Sequence, residues 1–188
     1  FKRGIDFINI PTTLLAMVDA SIGGKTGVNL DNLKNQIGVI KQAKVVLYDF
    51  NYLKTLPEDE IRSGFAEILK HGLIADKNYF NKLINYKNIL DDPSYVIEGS
   101  VSVKSNIVYQ DPNEVGIRKH LNFGHTLGHA IESFSHMNWQ KPLLHGEAIA
   151  HGIILEAYLS YKVLTLDKSS LDLIINTIKD HFVIHHFS

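Results

Sequence analysis

The pattern of the chain changes once, near Leu56-Pro57, and that change constrains the fold more than any other feature. Ahead of it lie short β-rich runs and a glycine-rich segment. After it, apolar residues recur at helical spacing to the C-terminus, with no convincing strand. Pro57 suits the first turn of a helix, and Glu58, Asp59 and Glu60 follow where the helix dipole favours negative charge. Ile61, Phe65, Ile68, Leu69 and Gly72 make one stripe. Glu67, Lys70 and His71 lie off it, and Glu67 taken alone reads as part of a solvated or ion-paired face. A second helix is expected over 76–90, through Tyr79, Phe80, Leu83 and Ile84, then a turn at Asp91-Asp92-Pro93-Ser94. Further helices are expected over about 94–110, through the histidine-rich stretch that follows, over about 146–164, and over 170–182 with Asp167 or Ser169 as cap.

Ahead of the change, Ile5 to Ile10 reads as a strand ended by Pro11, and Thr12 or Thr13 can cap a short helix through Leu14, Leu15, Met17 and Val18. Ser21 to Asn29 reads as a glycine-rich loop carrying Lys25. Lys44 to Asp49 is a second strand, apolar enough for burial on both faces of a parallel sheet. Two strands make a poor sheet, so the rest is expected upstream of Phe1, which is not an initiator Met. The expected architecture is a partial α/β domain over 1–56 followed by an all-helical domain over 57–188.

With a formal net charge of −1, no overall field draws the chain to nucleic acid or an anionic membrane. Cysteine is absent, which excludes disulfides, thiolate metal sites and cysteine nucleophiles. No apolar run approaches the roughly 20 residues of a membrane-spanning helix, and the first residues do not form a signal peptide. The expectation is a cytoplasmic-type protein with no nucleic-acid or membrane partner.

Half of the ten histidines fall within 118–147. On a helix, His125 and His129 share one face, as two nitrogen ligands of one metal ion would. Such a pair is also commonly coincidental or a hydrogen-bonded core pair. His145 opens the next helix, and Glu67 adds a carboxylate; a carboxylate with two imidazoles is a common catalytic zinc set. Gly24-Lys25-Thr26 has the tail of a phosphate-binding P-loop, but Asp19 stands where its first glycine belongs, which rules out the NTP motif. The loop is then either a cradle for phosphate or carboxylate, or a plain surface turn. Lys25, Lys34, Lys70, Lys104 and Arg118, with Asn35 and Asn122, are candidates to line a pocket for an anionic, hydroxyl-rich ligand; each alone reads as a surface group.

Pro11-Thr-Thr-Leu-Leu-Ala, Gly23-Gly-Lys-Thr-Gly-Val-Asn, Lys34-Asn-Gln-Ile-Gly, Leu53-Lys-Thr-Leu-Pro, Ala66-Glu, Leu121-Asn-Phe-Gly-His-Thr-Leu-Gly-His-Ala-Ile-Glu132 and His145-Gly-Glu-Ala occur in an order and spacing that resemble the 3-dehydroquinate synthase family, from about Arg3 to about Tyr161. The resemblance implies a multidomain fold, a Rossmann-like NAD-binding domain followed by an all-helical metal- and substrate-binding domain, usually paired as a homodimer. It implies conversion of 3-deoxy-D-arabino-heptulosonate 7-phosphate to 3-dehydroquinate in the shikimate pathway, with NAD as a recycled cofactor and one zinc or cobalt ion. Oxidation, phosphate elimination, reduction and an aldol closure follow one another, with a phosphate oxygen of the substrate taking a proton. Carried over by motif, the metal ligands are Glu67, His125 and His145, so His129 moves to the substrate side. Lys25, Asn35, Lys70, Lys104, Arg118, Asn122 and His129 take substrate and phosphate. Thr12, Thr13, Asp19, Lys25, Lys34 and the turn Tyr52, Leu53, Lys54, Thr55 take NAD.

The sequence departs from the family in several places. The N-terminal part of the nucleotide domain is not present. Asp111-Pro112 replaces a pair of acidic residues without touching an implied site, the 136–144 connection is long, and the tail after about Leu166 matches poorly and offers no lysine for the site. The chain alone is therefore expected to be inactive. The competing readings are another sugar-phosphate cyclase of the 2-deoxy-scyllo-inosose or valiolone type, a metal-dependent alcohol or glycerol dehydrogenase relative, and a non-catalytic metal-binding or interaction module.

Overall fold

A computed structural model describes residues 5–30 and 33–186; for Asn29 and residues 33–36 it describes the backbone alone. Ile8–Asn9 (β1) pairs in parallel with Val45–Val46 (β4), Ile8 opposite Val45. The parallel pairing expected from sequence is present, but burial on both faces is not. Ile8 is 58% and Leu47 50% exposed, because among the described residues no third strand or helix covers this ribbon. Thr13 does cap the following turn, its hydroxyl accepting from Ala16 N at 3.1 Å, and the turn continues as a π-helix over Ala16–Ala20.

The glycine-rich loop is corrected. Lys25–Leu30 (β2) and Leu33–Ile40 (β3) form an antiparallel ribbon with Lys25 opposite Ile40. Val28 and Leu30 alternate on one strand, Ile37 and Val39 on the other, a period-2 signal that the interspersed glycines obscured. Gly38 is required there: a Cβ would lie 1.8 Å from the Thr26 carbonyl oxygen.

The helices carry the core. They are Glu58–Ala75 (α1), Lys77–Leu83 (α2), Pro93–Gln110 (α3), His125–Asn138 (α4), His145–Val163 (α5) and Lys168–His181 (α6). The second ends seven residues before the expected 90, because Asn88 starts a separate 3-10 turn by accepting from Leu90 N at 3.0 Å. Asp92 caps α3 with Pro93 at its first turn, and Asp167 caps α6 by accepting from Ser170 N at 2.8 Å. Leu14, Met17, Val18 and Leu53 pack into the same apolar cluster as Phe65, Ile68 and Leu69 of α1, Ile149 and Ile153 of α5 and Ile178 of α6. Glycines set the closest approaches. A Cβ on Gly146 would lie 1.9 Å from the Ser63 carbonyl oxygen, and one on Gly152 1.9 Å from that of Gly124. Helices α1, α4 and α5 therefore meet nearly backbone to backbone, and the polar residues between them are forced together.

Candidate metal and anion site

Glu67, Lys70 and His71, which lie off the apolar stripe of α1, are not solvated: their exposures are 0%, 1% and 0%. The second side of α1 is buried as well, against α3, α4 and α5, so the surface reading of Glu67 fails. A carboxylate there needs compensation. Lys70 supplies it, one turn on, by an ion pair to Glu67 Oε2. Glu67 Oε1 is buried and has no hydrogen-bond partner among the described residues.

Around that oxygen stand two imidazoles from two other helices. His125 Nε2, on the first residue of α4, is 3.4 Å from Oε1, and His145 Nε2, on the first residue of α5, is 3.6 Å from it. The other ring nitrogens are oriented. His125 Nδ1 is 3.2 Å from the Phe123 carbonyl oxygen, and His145 Nδ1 is 3.6 Å from Glu132 Oε2. Such partners turn the Nε2 lone pairs toward a common point. The two histidines differ in charge. Burial, with Lys70 nearby, lowers the pKa of His125 to about 4. Burial also works against a charged His145, but Glu132 and Glu67 on its two sides raise it to about 9. Burial resists ionisation of Glu67 too, yet Lys70, His145 and His125 hold its carboxyl well below the usual range.

An ion with bonds of about 2.0–2.1 Å in tetrahedral geometry spaces its ligand atoms roughly 3.3 Å apart. The Glu67–His125 and Glu67–His145 separations match, and Glu67 Oε1 lacks a partner of another kind, so the residues fit a divalent ion. His125, His129 and His145 also form a compact group, with nitrogens within 4.8 Å of one another. His129 is exposed, however, whereas Glu67 Oε1 is sealed in, and a buried acceptor is the costlier one to leave unmatched. A further group, Asp19, Glu67 and His71, already holds cations: Lys70 sits on Glu67 and Lys104 on Asp19.

His125 and His145 open into a cavity of about 280 Å³. Lys25, Lys70, Lys104 and Arg118 line it against two carboxylates, Asp19 and Glu114, with Asn122 and His129 at its wall. The structure thus gathers Lys25, Lys70, Lys104, Arg118, Asn122 and His129. The side chains of Asn35 and Lys34 lie outside the described residues. Arg118 is buried and fixed, Nη1 donating to the Pro112 carbonyl at 2.8 Å and Nη2 to that of Gly23 at 3.1 Å. Gly23, at φ 101°, is needed because a Cβ would come within 2.7 Å of Nη2. Asp111 Oδ2 accepts from Arg118 N at 3.1 Å. The expectation that Asp111-Pro112 touches no implied site is therefore wrong: both residues hold Arg118 in place.

Two contributors escaped the sequence reading. Glu114 has a left-handed backbone (φ 58°), forms an ion pair with Lys25, and accepts from Asn122 Nδ2 at 3.0 Å. Glu132 lies beyond His145. Both are ordinary helix or loop acids in sequence, and only the fold brings them to the site.

Of the residues expected to hold NAD, Asp19 and Lys25 line the cavity, Asp19 paired to Lys104. The others, apart from Lys34, whose side chain is outside the described residues, lie elsewhere. Thr13 caps the π-helix, Leu53 is fully buried core, Thr55 Oγ1 donates to the Tyr52 carbonyl at 3.3 Å, and Thr12, Tyr52 and Lys54 are exposed. The cleft beside Pro11, lined by Asn9, Ile10 and Ser21, measures about 180 Å³, and another of about 400 Å³ lies beside the Tyr52–Thr55 turn against Asp49, Asn51 and Lys54.

Comparison with known proteins places these features in a wider frame. A family model described as 3-dehydroquinate synthase N-terminal matches residues 1–63, and one described as 3-dehydroquinate synthase C-terminal matches 64–186, well past Leu166, where the sequence reading expected a poor match. The 3-dehydroquinate synthase of Parabacteroides distasonis is 46% identical over 185 residues, covering 97% of this chain and 52% of the relative. That of Prochlorococcus marinus is 50% identical over 168 residues, covering 85% and 45%. The chain spans about half the length of the curated relatives it matches. Among solved structures, a 2-epi-5-epi-valiolone synthase from Streptomyces hygroscopicus with NAD+ and Zn2+ bound superposes at a TM-score of 0.78 and 27% identity, covering 98% of this chain and 52% of that one. A 2-deoxy-scyllo-inosose synthase complexed with carbaglucose-6-phosphate, NAD+ and Co2+ superposes at 0.79 and 27% identity, covering 95% and 50%.

Proposed function

The chain belongs to the 3-dehydroquinate synthase family, and from that premise we propose that the enzyme built on it converts 3-deoxy-D-arabino-heptulosonate 7-phosphate to 3-dehydroquinate and phosphate. The observation that carries the reading is the unmatched Glu67 Oε1 facing two imidazole nitrogens at the base of a cationic cavity. Glu67, His125 and His145 would hold one zinc or cobalt ion, which when bound supplies a Lewis acid that lowers the pKa of substrate hydroxyls. NAD, when bound, would supply hydride acceptance and return, held by the 1–56 segment with the rest of a Rossmann-like domain.

The work of this chain's own residues is binding and charge control. Lys25, Lys70, Lys104 and Arg118 against Asp19, Glu114 and the Glu67 paired to Lys70 leave the cavity positive, which suits a phosphate and a carboxylate on one ligand. Arg118, held by two carbonyls, is preorganised to meet developing negative charge on the departing phosphate. Lys104 is steered by Asp19, whose carboxyl it keeps below the usual range against the opposing effect of burial. Glu114 neutralises Lys25 and orients Asn122 until an anion competes for both. His129, at the cavity wall beside His125, is placed to touch substrate.

The relatives named 3-dehydroquinate synthase are 42–50% identical, against 27–28% for the valiolone and inosose synthases, which favours the dehydroquinate reading over the other cyclases. The same reading makes the protein a cytoplasmic homodimer and the 188-residue chain inactive by itself. The test is phosphate release by the full-length protein with the heptulosonate phosphate and NAD. Activity lost on chelation and restored by zinc is expected; no release, or release indifferent to chelation, contradicts the assignment.

A further inference from the structure

We propose that Glu156, on α5, is a positioning residue of the metal centre, holding the start of α4 and therefore His125 in register with His145. The inference rests on the metal reading above.

Helix α4 lacks a side-chain cap of its own. The first turn of a helix has backbone N–H groups without intrahelical acceptors. Helix α4 begins at His125, and the residue before it is Gly124, in a left-handed conformation (φ 78°) and with no side chain to accept them. No larger residue fits, since a Cβ on Gly124 would meet Ile153 Cγ1 at 2.7 Å. The acceptor comes from the neighbouring helix instead. Glu156 Oε2 accepts from Gly124 N at 2.8 Å, and Oε1 faces Leu127 N at 3.4 Å. These two N–H groups flank His125 in sequence. A carboxylate also complements the positive end of the helix.

Glu156 lies on the same helix as His145. The contact therefore joins the helix that begins with one imidazole to the helix that begins with the other. Gly152, one turn before Glu156, lets the two backbones approach, its missing Cβ leaving room for the Gly124 carbonyl. The His125 and His145 rings stand 5.5 Å apart, edge to face, at the two helix starts that this contact joins. Glu156 touches neither ring; it acts through the backbone on either side of His125.

The test is zinc affinity of the purified full chain, by competition with a chromophoric chelator, together with the cobalt absorption spectrum of the same protein. Two variants are compared with a control. Glu156→Ala removes both acceptors, and Glu156→Gln keeps one oxygen but no charge. Asp167→Ala removes an equivalent cap, on α6, away from the site. The expected result is zinc binding weakened about 10- to 100-fold in Glu156→Ala, the range for residues that orient metal ligands. A smaller loss is expected in Glu156→Gln, with a displaced cobalt spectrum in both and neither change in Asp167→Ala. Unchanged affinity in the Glu156 variants, or an equal loss in Asp167→Ala, overturns the assignment. A parent chain that binds no zinc overturns the metal reading and takes this assignment with it, whereas binding unaffected by Glu156 overturns this one alone.

Discussion

The two halves of the molecule handle exposed and buried groups in opposite ways. In the helical part, ionisable residues are buried: Glu67, Lys70, His71 and Arg118 all lie inside. In the β ribbons before Leu56, apolar residues are exposed: Ile8, Val28, Ile37 and Leu47 each show half or more of their surface, while Leu14, Met17, Val18 and Leu53 of the same part join the helical core. Burial of charge is tolerated only where every group has a partner or a function. The helical half meets that condition through ion pairs and carbonyl contacts, with two exceptions among the described residues, Glu67 Oε1 and His71 Nε2, of which only Glu67 Oε1 faces the His125 and His145 rings. The β ribbons have no such constraint, since two strands present two faces and cannot bury either by themselves. Side chains should therefore matter strongly in one region and weakly in the other.

The largest expected effect is on the buried pair. Glu67→Ala strands the Lys70 ammonium inside the protein, and loss of one partner of a buried pair costs about 3–5 kcal/mol. Denaturant unfolding should show that loss, and zinc binding should vanish with it; a variant as stable as the parent would mean water reaches this interior. Next comes Gly152→Ala, which drives a methyl group into the Gly124 carbonyl and should cost about 1–3 kcal/mol, read as a lowered thermal midpoint. Lys25→Met removes one partly exposed cation from the cavity. It should weaken inorganic phosphate binding about 10-fold in calorimetry, with stability unchanged. Equal phosphate affinity would remove Lys25 from the anion site. Ile8→Ala, by contrast, should shift stability by no more than about 0.5 kcal/mol. A larger loss would show that the ribbon is packed in solution and erase the contrast drawn above.

A smaller effect concerns pH. Burial holds the His151 imidazole below its ordinary 6.5, and its Nε2 accepts from His185 N at 2.9 Å while Nδ1 lies 2.8 Å from the Glu147 carbonyl oxygen. A base that is harder to protonate when folded contributes full stability above pH 6.5 and loses it as pH falls from there toward the lowered native value. The protection factor of the His185 amide, corrected for the intrinsic pH dependence of exchange, should fall over that window and stay constant above it. Protection that does not change below pH 6.5 would detach His151 from the docking of the C-terminal segment.

Most helices were legible because their signals are local: a 3.6-residue stripe from Ile61 to Gly72, Pro93 and Asp92 at one start, Asp167 at another. The β2–β3 ribbon was not, because glycines at 23, 24, 27 and 38 read as loop while the strand alternation ran between them. For the site, spacing alone favoured His125 with His129, and only the family resemblance offered Glu67 and His145 instead. The reason is geometric. Residues four apart on a helix announce themselves, whereas three ligands on three helices meet only through tertiary packing, here through the glycine contacts at 146 and 152. Glu114, Glu132 and Glu156 were invisible for the same reason. Asp111-Pro112 was set aside as remote from the site, because nothing in sequence shows that the Pro112 carbonyl meets the Arg118 guanidinium.

The central claim is that one carboxylate and two imidazoles, from α1, α4 and α5, form a single metal site. X-ray absorption at the zinc edge of the loaded protein measures it most directly, in the parent and in the Glu67→Ala, His125→Ala, His145→Ala and His129→Ala variants. The account predicts two nitrogen ligands and a carboxylate oxygen in the parent, loss of bound zinc in the first three variants, and an unchanged coordination shell in His129→Ala. A shell of three imidazoles that survives removal of Glu67 and collapses on removal of His129 would contradict it.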